Sequence, residues 1–260
     1  MKVKYKTAFL LFGMILLMQT FLSAQVGVGN TNPDPSAKLD VSSTTQGFLL
    51  PRMSFAERNN IARPATGLMV FCTDCGISGE WQGYNGTEWT KLSGDASSPV
   101  LTVGTAFQGG IIAYLFQPGD AGYVAYQVHG LIAATADQGT LFWGNLAAST
   151  GATDTAVGKG FLNTAEIITA QGSPSPNYAA SLARSYTDGN YFDWYLPGAA
   201  ELKKLYLNKS AVGNFSNSNT VYWSSTETDQ NKATAINISN GKQQSSSKDN
   251  VFSVRAVRTF

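Results

Sequence analysis

Few residues in this chain are equipped for catalysis. His129 is the only histidine among 260 residues, which excludes paired-histidine metal sites and leaves any Ser-His-Asp triad a single ring to build on. It precedes Gly130 at the end of an expected strand with no nucleophile-elbow motif nearby, so it reads as a structural imidazole that one partner satisfies. Gly27-Val28-Gly29 lacks the third glycine and the following helix that a phosphate-cradling loop needs. No catalytic residue, metal site or cofactor is expected.

The residues suited to binding are more numerous. Aromatic rings stack on flat ligand faces while amides and carboxylates bond to hydroxyls. Trp143 sits in a stretch expected to be a long loop, where its ring would be exposed, and Asp188, Asn190 and Tyr191 crowd the segment before Trp194. Asp188-Gly189-Asn190 could offer oxygens to calcium, but such a site wants six or more ligands. Arg255 and Arg258 fall on opposite faces of one expected strand and so cannot jointly clamp an anion without a bulge. Glu201 or Glu227 is the expected buried partner for one of them.

The elements that would position these groups divide near residues 93–103. Residues 25–92 read as short strands broken by turns, with one brief helix over 54–61 capped by Ser54 and Glu57, a buried strand at 67–71, and a hairpin over 81–92 turning at Asn85-Gly86. So small a piece struggles to bury its own core, so it packs on its neighbour or assembles with copies of itself. After the polar linker 93–103, residues 104–260 are long enough for one domain.

That domain opens with an apolar strand, 110–116, followed by a second at 123–133 and a surface loop over 135–158. Asn163 or Thr164 can cap a first helix, which is interrupted by Ser173-Pro174-Ser175-Pro176 and resumes over 178–186. A second helix begins at Pro197, with Ala200, Leu202, Leu205 and Tyr206 on its buried side. Strands return at 220–225, 233–238, turning at Asn240-Gly241, and 253–260, and the first and last strands are expected to pair. The pattern is α+β: two helices with a mainly antiparallel sheet, preceded by a β-rich module.

Residues 1–24 have the grammar of a signal peptide. Lys2, Lys4 and Lys6 precede an apolar run from Ala8 to Leu22, with Ser23-Ala24 as the cleavage point. The run is too short for a comfortable membrane span and no later segment approaches that length. Without this segment 15 basic residues face 17 acidic ones, a net charge of −2 with no basic footprint for nucleic acid. Few charges, many glycines and abundant turn formers suit a secreted or cell-surface β-rich protein. In that setting Cys72 and Cys75, the only cysteines, are expected to form a disulfide across a turn, since two thiolates leave a zinc site half built. A redox-active pair would want a βαβ context, which is missing.

Five stretches occur in the order and spacing of one bacterial family: Asp193-Trp194-Tyr195-Leu196-Pro197, Glu201-Leu202, Tyr222-Trp223-Ser224-Ser225-Thr226-Glu227, Asn240-Gly241, and Val254-Arg255-Ala256-Val257-Arg258. From about Gly109 to Phe260 the chain resembles the C-terminal domain of the Lcl collagen-like adhesin. The resemblance implies a C-type-lectin-like fold and a surface binding or adhesion role toward polysaccharide or another extracellular, host or matrix ligand. It also makes Trp194, Pro197, Glu201, Trp223, Glu227, Arg255 and Arg258 structural members of the family pattern. Many relatives carry Arg where this chain has Tyr195, so a salt bridge there does not carry over. The lectin calcium motifs Glu-Pro-Asn and Trp-Asn-Asp are missing. Formylglycine-generating oxidases share the lectin-like fold, but their copper chemistry needs cysteines in this domain, which has none.

The N-terminal part resembles a recurring module of exported and tail-fibre-like bacterial proteins. It shares Val26-Gly27-Val28-Gly29-Asn30-Thr31, Ser36 to Val41, Gly47 to Met53, Pro64 to Gly67 and Tyr84 to Thr87. This implies a stalk or assembly element and a homo-oligomer formed through residues 25–92. A structural fibre or envelope component without a small ligand is the alternative.

Overall fold

The computed structural model describes residues 25–125, 127–172, 177–217 and 220–260. The expected signal peptide and the Ser-Pro-Ser-Pro interruption lie outside the described residues. The chain divides into two compact units after Leu50.

In the first unit β1 (Val26–Val28) pairs in parallel with β2 (Leu39–Val41), Val26 opposite Leu39 and Val28 opposite Val41. The connection is tied by Asp40, whose Oδ2 accepts from Asn30 Nδ2 and from the Asp34 N–H, each at 2.9 Å. Gly27 packs so closely on this turn that a Cβ would lie 2.3 Å from the Asn30 carbonyl oxygen.

The second unit begins with a four-stranded sheet in the order β3 (Arg52–Met53), β4 (Met69–Cys72), β5 (Glu80–Tyr84), β6 (Trp89–Lys91). Between β3 and β4, α1 (Phe55–Asn59) starts with the expected capping box: Ser54 accepts from the Glu57 N–H while Glu57 accepts from that of Ser54. The hairpin turns at Asn85-Gly86 as read from sequence, with Gly86 at φ 99°. A disulfide joins Cys72 to Cys75.

Two further sheets build the C-terminal part. One runs β7 (Ala106–Phe107), β8 (Gly110–Leu115), β9 (Gly130–Ala133), β15 (Val257–Thr259). The other runs β10 (Gly139–Phe142), β14 (Val251–Val254), β11 (Val221–Asp229), β12 (Lys232–Asn237), β13 (Gln243–Ser247). Helices α2 (Gly160–Gln171), α3 (Ala179–Ser185), α4 (Ala199–Leu207) and α5 (Lys209–Val212) complete an α+β architecture. Every residue of β9 is buried, and alternation splits them: Leu131 and Ala133 face one core with Leu202, Leu205 and Tyr222, Ile132 faces another with Trp143, Trp194 and Trp223. Each large apolar side chain so buried contributes about 1.5–3 kcal/mol.

Several expectations are corrected by nonlocal packing. The second strand is confined to Gly130–Ala133, because only there does β9 find both neighbours. The stretch 135–158 is not a surface loop: it contains β10 and the buried Trp143, Ala152 and Val157. The first and last strands share a sheet but do not pair, since β9 lies between β8 and β15. The final strand is two strands in different sheets, broken at Arg255-Ala256.

The helix starts also move. The first begins at Gly160, so Asn163 and Thr164 lie inside it as buried side chains: Asn163 Nδ2 donates to the Asp154 carbonyl at 2.7 Å, and Thr164 Oγ1 to that of Leu196 at 3.2 Å. The helix expected from Pro197 begins at Ala199, where the Gly198 N–H donates to Glu201 Oε2 at 2.7 Å.

Candidate functional site

The loop from Asp188 to Asp193 gathers most of the binding residues read from sequence. Asp188 Oδ1 accepts the N–H groups of Asn190 at 3.1 Å and Tyr191 at 2.9 Å, so the carboxylate shapes its own turn. Behind it Gly109 approaches so closely that a Cβ would lie 1.7 Å from Asp188 Oδ2, and φ is +85° there. A side chain at 109 would displace the loop.

Arg258 on β15 anchors the other end. Its Nε and Nη2 donate to the two carboxylate oxygens of Asp193 at 2.7 and 3.0 Å, its Nη1 donates to Gln108 Oε1 at 2.8 Å, and its Cζ lies 4.1 Å from the Tyr191 ring centre. Partial burial works to raise the Asp193 pKa, but the Arg258 hydrogen bonds and charge outweigh it and hold the carboxyl below the usual value. Trp194, fully buried, donates from Nε1 to the Tyr191 carbonyl at 3.2 Å, and Tyr195 exchanges backbone hydrogen bonds with Val257. A rigid base therefore presents a short exposed tip. On that tip Asn190 is exposed, and Phe192 is 69% exposed.

Trp143 is elsewhere. It is fully buried, with Nε1 donating to the Ser224 carbonyl at 2.7 Å, so the expectation of an exposed ring is corrected. Lys248 Nζ stands 4.7 Å from the centre of its ring and binds Glu227 Oε1 at 2.5 Å and the carbonyls of Ala148 and Gln230 at 2.7 and 3.0 Å. Glu227 also accepts the N–H groups of Thr150 and Gly151, which fastens the segment after Trp143 to β11.

The arginine partners differ from those expected. Arg255 pairs with Asp137 at 2.6 Å and donates to the Ala134 and Asn214 carbonyls. Arg258 pairs with Asp193. Glu227 belongs to Lys248. Among the described residues Glu201 meets no cation; it accepts from Gly198, Gly158, Gly160 and the Tyr195 hydroxyl. Burial raises its pKa against the pull of those backbone hydrogen bonds. Pro197 and Trp223 are buried in the frame.

Phe192, Gln108, Asp137 and Lys248 escaped the sequence reading. Only Phe192 left a local signal, an aromatic inside the polar run Asp188 to Asp193. The two cysteines form with Asp74 a compact sulfur and carboxylate group, but the sulfurs are bonded to each other.

Two family models match the chain. Residues 27–106 match the phage tail like trimerisation region, and residues 135–258 match the Lcl C-terminal domain. The two matches follow one another along the chain without overlap. The anchored loop at 188–193 thus lies within the Lcl-matching part. A solved fimbrial protein from Bacteroides ovatus aligns over 70% of this chain at 16% identity with a TM-score of 0.37, and the chain spans 57% of that protein's length. No curated protein matches the chain. Among the described residues no helix is long and apolar enough to cross a membrane.

Proposed function

We propose that this chain is an exported, oligomeric surface protein that binds an extracellular polysaccharide through the Asp188–Asp193 loop of its Lcl-type domain. The observation that carries the reading is the succession of a trimerisation region and an Lcl C-terminal domain along one chain. Several weak sites on one particle gain avidity without any new contact. Residues 25–92 supply assembly, 93–103 the join and 104–260 binding, after removal of the signal peptide at 1–24. The C-type-lectin-like fold implied by the resemblance is part of this reading, and the α+β arrangement of the domain supports it.

The loop suits a sugar. Phe192 offers an apolar face, Asn190 an amide, and the rigid Arg258–Asp193 base limits the ordering cost of binding. The role is binding rather than catalysis: His129 engages both ring nitrogens, Nδ1 with the Phe260 carbonyl at 2.9 Å and Nε2 with Gln127 Oε1 at 2.8 Å. A structural fibre component is the second reading, favoured by the full burial of Trp143, Trp194 and Trp223. A glycan array probed with the mature protein separates them. Saturable binding to polysaccharides supports adhesion, and silence across the array supports the fibre reading.

A further inference from the structure

The first compact unit contains no buried residue from Gln25 to Leu50. Among its described residues the regular structure is the parallel pair β1–β2, three residues a side. Two short strands are not stable alone in water, and parallel strands in particular are normally covered on their faces. One face of this pair is closed by its own connection, since Gly27 points at Asn30 and Pro33. The charged Asp40 shares that side and is spent on Asn30 and Asp34. On the other face the register places Val26 beside Leu39 and Val28 beside Val41. These four aliphatic side chains are between 41% and 55% exposed, with no charge among them.

We infer that this four-residue face is the seam on which copies of the chain assemble, three such faces closing around a common axis. The occupant is a second and third copy of this chain because the match to a trimerisation region starts at residue 27 and so contains Val28, Leu39 and Val41. The geometry fits that symmetry. A three-fold axis laid along the strands leaves β1 and β2 of every copy running the same way, and an uncharged aliphatic surface is complementary to itself. The strands β4 to β6 already bury Val70, Gln82 and Trp89 within their own sheet and leave only Met69 and Trp81 of their large apolar side chains exposed, at 39% and 42%.

This inference rests on the oligomeric part of the proposed function, and light scattering on the full mature chain tests the two separately. Wild type is expected at three times the mass of one chain. The V28D/V41D variant should fall three-fold to the monomer mass with its near-ultraviolet circular dichroism unchanged, because both side chains are exposed in the single chain. L207D, a charge at an exposed leucine on α4, should stay trimeric. A monomeric wild type overturns the oligomeric reading and the seam together. A trimeric V28D/V41D leaves the oligomer standing and overturns the seam, whether the face is covered by the same chain or by nothing. Cysteine substitution gives an independent check, since the native chain has no free thiol. Oxidised V28C should run as covalently linked chains on a non-reducing gel and L207C as single chains; a V28C that stays unlinked also counts against the seam.

Discussion

Arg258 holds Asp193 by two parallel hydrogen bonds, at 2.7 and 3.0 Å, and so ties the last strand of the chain to the loop that carries Phe192. The fork of a guanidinium matches a carboxylate in a way that a lysine ammonium cannot. R258K should therefore lose about 1–3 kcal/mol of stability. Amide exchange in residues 188–193 should quicken more than in α4. The Asp193 carboxyl, lowered in the folded state, contributes stability that is present above its ordinary value of 3.8 and lost as pH falls through the lower folded value. An R258K protein with unchanged exchange in that loop would remove the anchor role.

Phe192 is expected to separate binding from folding. Its ring is largely exposed, so F192A should shift stability by no more than about 0.5 kcal/mol. Binding to any polysaccharide found on the array should weaken at least ten-fold. Equal affinities in a side-by-side titration would move the contact surface elsewhere.

Lys248 and Glu227 form an ion pair whose side chains are 0% and 2% exposed. Removing the cation alone leaves a buried carboxylate, which costs about 3–5 kcal/mol. K248M should show that loss in urea unfolding, and its pH profile should shift upward. In the wild type, burial works to raise the Glu227 pKa but Lys248 together with the Thr150 and Gly151 N–H groups overcomes it, so the contribution is present above the ordinary 4.5 and is lost as pH falls. Without Lys248 the Thr150 and Gly151 N–H groups still favour the carboxylate but two of the lowering influences are gone, so the Glu227 contribution should be smaller and be lost at a higher pH than in the wild type.

Glu201 works in the opposite sense to Glu227. Burial raises its folded pKa above 4.5, so its contribution is full below 4.5 and is lost as pH rises through the folded value. The stability of wild type relative to E201Q should therefore fall across that window. Parallel curves for the two proteins would show that Glu201 does not titrate differently in the folded state.

Cys72 and Cys75 should give no thiol signal in the unreduced protein, since they are bonded to each other and no other cysteine exists. The loop they close spans three residues of separation, so the entropy it removes from the unfolded chain is small. C72S/C75S should leave the circular dichroism of Trp143, Trp194 and Trp223 unchanged. Two reactive thiols per unreduced chain would contradict the bond.

Local chemistry was legible in the sequence by itself. The Ser54–Glu57 capping box, the Asn85-Gly86 turn and the Asn240-Gly241 turn, the Cys72–Cys75 bond and the polar run Asp188 to Asn190 each involve residues a few positions apart, where backbone preference and short-range hydrogen bonds decide the outcome. Partners far apart in the chain were decided only by tertiary structure. Arg255 meets Asp137 across 118 positions, Arg258 meets Asp193 across 65, and Lys248 reaches Glu227 beneath a tryptophan that sequence alone had left at the surface. One run of alternating residues, Ser253 to Phe260, serves two different sheets because β10 and β11 claim its first half while β9 claims the second. Burial of Trp143 follows from the same cause: a ring's exposure depends on which distant segments fold over it, and nothing within a few residues of the ring encodes that.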